Sequence, residues 1–519
     1  MQSRFRISIL VAVSTACIAE RGPFTNRMAH SATTYLSRAA RQPVNWQPWG
    51  RDAFALAARL DRPVLLYVGG DACRWCVETD RVIYTNPEIG ALINALFVPI
   101  RVDRDERPDV AQRYQTAIEW LAGLHGWPLT VFLTADGAPF FGGTYFPADD
   151  PITGRGLKQI LPEVAKSYRE QRPFVLQHAA LVRQLMLTGG RESGGADVGL
   201  ARGVLQLAPI RGEIAVVRSQ LDDAVRTRAA LGSVTHAAAA ALLLTEYARD
   251  NDTLSLIVAR RALDLMLDSL TTARAGEEPP RLVQAALLGA LAQAWVVTGA
   301  ARYHDAGRGL ARGLARELRT AGDRAVFADQ EAYVLQSLIL ASATFGETSA
   351  ETRARSVLDA LLQRMYARGW GVRHSGAAGT QGLLQDQVQV AAACIAAHQV
   401  TQDARYLDVA RDLAAILDSA YADPVGGYYD AALPAAPQAA PDPVAPALVD
   451  RTKHVLDDML PGANAAAAQV LLRLADATGD LSYRRRAEAT LEAFAGTISA
   501  TGLRSSTFLE AAREALAVR

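Results

Sequence analysis

The sequence predicts an α/β domain followed by an all-α domain in which helical hairpins close into a ring, an α/α toroid. Three observations predict it. Short β-branched apolar runs alternate with helical stretches between Arg62 and Pro147, strand signals stop after Gly154, and a phrase recurs three times in the Ala- and Leu-rich remainder. A chain of 519 residues also exceeds the roughly 250 to 300 at which one hydrophobic core stops growing, so two domains are expected.

The first segment, "MQSRFRISILVAVSTACIAERG", opens with Arg4 and Arg6, runs apolar from Ile7 to Val13 and ends in small residues around Ala16 and Ala19. That is the layout of a secretory signal peptide over residues 1–20, too short to span a bilayer permanently. Export to a periplasmic or extracellular space is expected. "STAC" resembles a lipoprotein cleavage site only loosely, because Ser14 stands where a larger apolar residue is usual; a cytoplasmic chain with a disordered start is the alternative. No later apolar stretch reads as a membrane span.

From residue 62 the elements follow in order. "RPVLLYVGG" reads as a buried strand ending in a turn, and "PEIGALINALFVPIRVDRDERPD" as a helix and a second strand, Phe97 to Val102. "GWPLTVFLTADGAPFFGGTYFP" supplies a third strand, a turn at Asp136-Gly137 and a fourth. A helical stretch broken near Pro173 carries the first domain, residues 26–186, to a Gly-rich linker at 187–199. Beyond it, over 200–519, "TGAARYHDAGRGLARGL" at 298, "TQDARYLDVARDLAAIL" at 401 and "TGDLSYRRRAEATLEAF" at 478 each mark a helix end, a turn and a new helix. Tyr303, Tyr406 or Tyr483 stands near each turn. Further pairs begin near Arg211, His236 and Glu331, about five or six hairpins in all, and a ring buries both faces of so many apolar helices. A Pro/Ala loop, 433–447, is inserted late.

Chemistry concentrates at "GGDACRWCVE". Cys73 follows the first strand and is expected in the first turn of a helix, where free N–H groups and the helix dipole favour a thiolate, with Arg74 adding a cation. Two-residue spacing lets Cys76 close a small disulfide, so Cys73 would attack and Cys76 resolve. Pro128, ahead of the third strand, is the expected place for a cis proline against the disulfide. Two other readings stand beside this one. A metal site needs about four ligands, and His125 is the only histidine between residues 31 and 177, so no metal or other cofactor is expected. Two inert packed cysteines remain a possibility.

"QPVNWQPWG", C-x-W-C, "VDRDERPD" and "GGTYFP", all within residues 26–150, resemble the spermatogenesis-associated protein 20 family. The resemblance implies a thioredoxin-like fold joined to a toroid of the six-hairpin glycosidase type. Family text continues more weakly in "DPVGGYYD" and "PGANAAAAQVLLRLA". Where the family usually carries histidines, this chain has Ala39, Arg74 and Val77, and the helical half lacks stretches of the "GGFG", "PKFP" and "HFEKMLYD" type. The dithiol is retained while the histidine cluster is not.

Acidic residues Glu277, Glu278, Asp329, Glu331, Asp386, Asp457 and Asp458 fall at or before the starts of first-of-pair helices, hence on one rim. They either cap helix N-termini or form a sugar cleft with carboxylates about 5 to 10 Å apart. Asp329, Asp386, Asp458 and Asn464 are the candidate cleft residues, with Trp370 and Tyr428 as possible lining. In "VDRDERPD" the alternating charges of Asp103, Arg104, Glu106, Arg107 and Asp109 suggest an ion-pair network. Trp46, Trp49, Trp75, Trp120 and Trp127 all lie in the first domain, and Trp75 and Trp127 are expected to flank the cysteines as an apolar patch. With Lys plus Arg and Asp plus Glu both at 54, no overall field draws the chain to nucleic acid or to anionic membrane. The expected partners are protein thiols or disulfides, with carbohydrate as the alternative.

Overall fold

The computed structural model describes residues 24–31, 33–71, 73–150, 152–153, 155–188, 202–227, 231–272, 280–318, 326–375, 382–432, 450–499 and 501–517. The leader at 1–20, linker residues 189–199, Glu277, Glu278 and the Pro/Ala stretch 433–447 lie outside the described residues.

In the first domain β1 (Gln47–Pro48), β2 (Val64–Gly69), β3 (Val98–Asp103), β4 (Leu129–Leu133) and β5 (Pro139–Gly143) form one sheet in the order β1-β3-β2-β4-β5. β1 and β2 run parallel to β3, while β4 opposes β2 and β5 opposes β4. Both faces are covered, which is why the strands read as continuous apolar runs. Leu65 and Tyr67 point to a core shared with α1 (Thr34–Arg38), α4 (Pro87–Leu96) and α6 (Leu157–Glu170). Val64, Leu66 and Val68 point to the other, shared with α2 (Arg51–Leu60), α5 (Pro108–Ala122) and α7 (Arg172–Thr188). Local signals set the ends: Thr33 caps α1, and Asn86 caps α4 with Pro87 in its first turn. Between α2 and α4 lies the short α3 (Arg74–Thr79), continued by a wider helical turn, Asp80–Tyr84.

The second domain holds α8 (Leu207–Arg226), α9 (Val234–Asp250), α10 (Thr253–Thr272), α11 (Arg281–Thr298), α12 (Ala301–Glu317) and α13 (Ala328–Phe345). It continues with α14 (Thr348–Met365), α15 (Leu384–Thr401), α16 (Ala404–Ile416), α17 (Ala463–Thr478), α18 (Leu481–Phe494) and α19 (Ser506–Leu516). α9, α11, α13, α15, α17 and α19 each pack on the next, and α19 returns to α9, which closes an inner ring. The even-numbered helices α8 to α18 form the outer layer. Burial separates the layers: in α15 every side chain from Gln387 to Ala397 is buried, whereas α12 buries one stripe, Tyr303, Gly307, Ala311, Leu314 and Ala315.

The repeated phrase is a hairpin device. Gly299 and Gly479 end their helices at φ 64° and 74°, and Gln402 takes the same left-handed place at φ 59°. Tyr303 then donates to Asp264 (3.0 Å) and Tyr406 to Asp359 (2.8 Å), tying each new outer helix to the preceding one. By length and composition α11 does reach membrane-span size, against expectation, but it lies in the inner ring between α9 and α13.

Candidate functional site

β2 delivers the chain through Gly69 to Cys73, which caps α3: its Sγ accepts from the Cys76 N–H at 3.1 Å. The two sulfurs are bonded, with Sγ–Sγ 2.07 Å and Cα–Cα 5.2 Å. Cys73 keeps 8% of its surface exposed and Cys76 none. Cys73 thus keeps a small exposed area, whereas Cys76 is fully sheltered. Val68 pairs with Leu129, so the cis Trp127–Pro128 peptide runs beside the chain leaving Gly69. Trp75 is exposed with its ring 5.4 Å from Tyr145, and the Arg104 guanidinium lies 5.4 Å over the ring of Trp127. Arg74 is exposed at the start of α3.

Beneath the disulfide lies a buried cation. Arg101 on β3 donates twice to Asp80 (2.7 and 2.6 Å), and its guanidinium stands 4.2 Å from the ring centre of Tyr35, 5.1 Å from Tyr67 and 5.7 Å from Trp46. Tyr67 donates to the Cys76 carbonyl at 3.4 Å. Asp103, at the end of β3, pairs in register with Gly69. Its carboxyl is pushed up to about 7, first by burial and then by the neighbouring Asp105.

The loop after β3 joins the domains. Arg107 forks onto Asp109 (2.8 and 2.6 Å), while Asp105 reaches the toroid rim where α13, α15 and α17 begin. There the Asp105 carboxylate accepts from Gln330 (3.2 Å) and its carbonyl faces His374 Nε2 (2.7 Å). His374 Nδ1 lies 2.8 Å from Asp386 Oδ1 and 3.8 Å from Asp329 Oδ1, and Phe327 stacks on the ring at 5.0 Å. All three charged groups are buried. A backbone carbonyl cannot donate, and the carboxylate opposite is the natural acceptor, so the geometry calls for a proton on each ring nitrogen. Burial pushes His374 down, but Asp386, Asp329 and the Asp105 carbonyl outweigh it and hold the group up at about 10. Asp329 is raised, chiefly by burial. Asp329, His374 and Asp386 each offer a ligand atom within 4.8 Å of the others, but a cation there would have to displace the proton His374 gives to Asp386. A cleft beside this junction is lined by Arg104 and Trp127 on one side and by Gln330, Gln385 and Asp458 on the other.

Residues 25–186 match the model of the family described as Thioredox_DsbH, protein of unknown function DUF255. The match is confined to that segment, about a third of the chain. Spermatogenesis-associated protein 20 of Homo sapiens is 36% identical to the chain over 170 residues, 33% of this chain and 22% of that protein. An uncharacterized protein of Caenorhabditis elegans, B0495.5, is 36% identical over 163 residues, 31% of this chain and 22% of its own length. The matches thus span about a fifth of these relatives. Among solved structures, the unsaturated glucuronyl hydrolase of Bacillus sp. GL1 aligns over 59% of this chain and 95% of its own, at 14% identity and a TM-score of 0.45. A heparin-specific unsaturated glucuronyl hydrolase aligns over 60% and 98%, at 14% identity and 0.44.

In the DUF255 segment the structure brings Cys73, Cys76, Trp127 and Pro128 to one end of the sheet, with Trp75 on the surface beside them. Trp46, elsewhere in the same domain, is wholly buried against Tyr67 and Tyr84. The structure brings the four candidate cleft residues together only in part. Asp386 and Asp329 are committed to His374, and Asn464 is buried, bonding the backbone of Tyr428 and His454. Tyr428 is core, and Trp370 stands 88% exposed at the tip of a two-stranded hairpin, β6 (Tyr366–Ala367) and β7 (Gly371–Val372). Of the four candidates Asp329 and Asp458 both line the cleft, Asp329 buried and Asp458 half-exposed. Sequence reasoning missed Arg101 and His374, two of the buried cations among the described residues.

Proposed function

We propose that the chain is an exported thiol-disulfide oxidoreductase working through Cys73 and Cys76. The observation that carries this is the asymmetric disulfide, in which Cys73 keeps a small exposed area and Cys76 is sealed beneath it. A substrate thiolate attacks Cys73 Sγ, and the electrons of the broken S–S bond leave on Cys76 Sγ. A second substrate thiol then attacks the substrate sulfur of this mixed disulfide and expels Cys73. The substrate departs as a disulfide, oxidised by two electrons, and its two protons end on Cys73 and Cys76; run backward, the same steps reduce a partner. Arg104 and Trp127 form the wall between the disulfide loop and the interdomain cleft, where the substrate segment would lie.

Alkylating the purified chain across a glutathione series tests this. A reversible two-electron transition, lost with Cys73→Ser, is expected; a pair that never opens would end the reading. Export rests on the leader-like residues 1–20, and N-terminal sequencing of protein from fractionated cells checks it. The alternative, a carbohydrate-handling toroid, draws less support, because two of its candidate carboxylates are buried against an imidazolium.

A further inference from the structure

The Tyr35 hydroxyl is buried and has no hydrogen-bond partner among the described residues. Such a group is costly: an unsatisfied buried hydroxyl forfeits about 1–3 kcal/mol of solvation. Its position suggests what it is kept for. A Cβ at Gly69 would meet two neighbours first, Tyr35 Oη and Cys76 Sγ, both within 3.1 Å of that one point. The absence of a side chain at Gly69 is what lets the phenol and the sulfur share this corner behind the strand.

Opening the disulfide lengthens the separation of its sulfurs. Cys73 keeps a small exposed area and Cys76 none, and the Cys76 sulfur released from Cys73 has beside it the corner Tyr35 occupies. There it carries the electron pair of the broken bond in a site that excludes water, and a buried thiolate is strongly disfavoured unless a donor meets it. The other groups facing the corner are already engaged. Tyr67 on β2 donates to the Cys76 carbonyl, Arg101 on β3 is forked onto Asp80, and Asp103 is a carboxyl that accepts from the Asp105 N–H.

We propose that Tyr35 is the hydrogen-bond donor for the leaving Cys76 sulfur, through a bond absent in the disulfide form and made only in the dithiol form. The inference rests on the redox reading of Cys73 and Cys76 and deepens it. Tyr35 keeps its proton and donates an O–H···S hydrogen bond to the Cys76 sulfur as the S–S bond breaks; the proton Cys76 then takes comes from the substrate thiol, and it leaves to solvent or to the departing thiolate when Cys76 re-forms the disulfide. Because the bond exists only in the reduced form, it favours reduction, and the wild-type pair is the more oxidising for it.

Tyr35→Phe keeps the ring over Arg101 and removes only the hydroxyl. Tyr84→Phe is the matched control: Tyr84 is equally buried, its hydroxyl also lacks a partner, and it belongs to the same aromatic cluster, but it is not among the nearest neighbours of the Gly69 corner. In the full chain equilibrated with glutathione, Tyr35→Phe is expected to shift the disulfide–dithiol equilibrium about tenfold toward the disulfide, roughly 30 mV more negative. Reduction by dithiothreitol should slow by a similar factor, and the oxidised protein should melt no lower than wild type. Tyr84→Phe should stay within twofold of wild type. If wild type cycles and Tyr35→Phe has an unchanged or less negative potential, or if both variants shift alike, the role of Tyr35 is overturned while the redox reading stands. If the wild-type pair does not cycle at all, both fall together.

Discussion

Two of the buried cations, one in each domain, are held in opposite ways. Arg101 lies inside the thioredoxin-like domain, beneath the disulfide, forked onto one carboxylate and walled by three aromatic rings. His374 lies at the toroid rim, between two carboxylates and a carbonyl contributed by the other domain. The guanidinium cannot shed its proton at any pH a protein tolerates, so its site is fixed. The imidazolium can, so the junction between the domains is chemically adjustable while the floor of the disulfide site is not.

Removing the fixed cation should do the most damage. Arg101→Met leaves Asp80 without its partner and three rings without the group they pack on, and is expected to cost about 3–5 kcal/mol by urea unfolding. Arg101→Lys keeps the charge but loses the fork and the flat stacking surface, and should recover only part of that. Full recovery by lysine would mean that charge alone matters at this site.

His374→Gln should cost less, about 1–3 kcal/mol, because Asp329 is already raised toward its protonated form and a carboxylate pair that loses its cation can share a proton. The pH dependence is the sharper test. His374 titrates near 10 in the folded chain, above the 6.5 of an ordinary histidine, so its stabilisation is complete below about pH 6.5 and is lost as pH rises through 10. Wild type and His374→Gln should therefore differ most in mildly acidic and neutral buffer and converge as pH approaches 10. A gap that does not change between pH 6 and 10 would show that the ring acts by shape and not by charge.

The same contrast explains what was legible in the sequence. The ring of hairpins could be read because its information is local: a helix end, a turn and a tyrosine recur within a few residues. The cysteine pair was legible for the same reason. His374 was not, because its partners are Asp386, 12 residues on, and Asp105, 269 residues back. The rim carboxylates stay open between helix caps and a cleft because sequence places acids at helix starts but does not say whether a histidine closes over them. Arg101 did leave a signal: in "VPIRVD" an arginine interrupts a strand buried along its whole length, and a charge there requires a partner. Asp80, 21 residues earlier, could not be named from spacing alone.

The smallest expected effect concerns a second contact between the domains. Arg183 on α7 forks onto Asp450 (2.8 and 2.6 Å), and Arg113 donates to the Asp450 carbonyl. Their side chains remain 29% and 12% exposed, so water and salt screen the pair far more than they screen His374. Arg183→Ala should therefore cost about 1 kcal/mol or less, and the difference should shrink further between 0.05 and 0.5 M salt. Denaturant midpoints at the two salt concentrations measure both quantities. A loss above about 2 kcal/mol that ignores salt would move the main pin between the domains from the buried imidazolium to this outer pair.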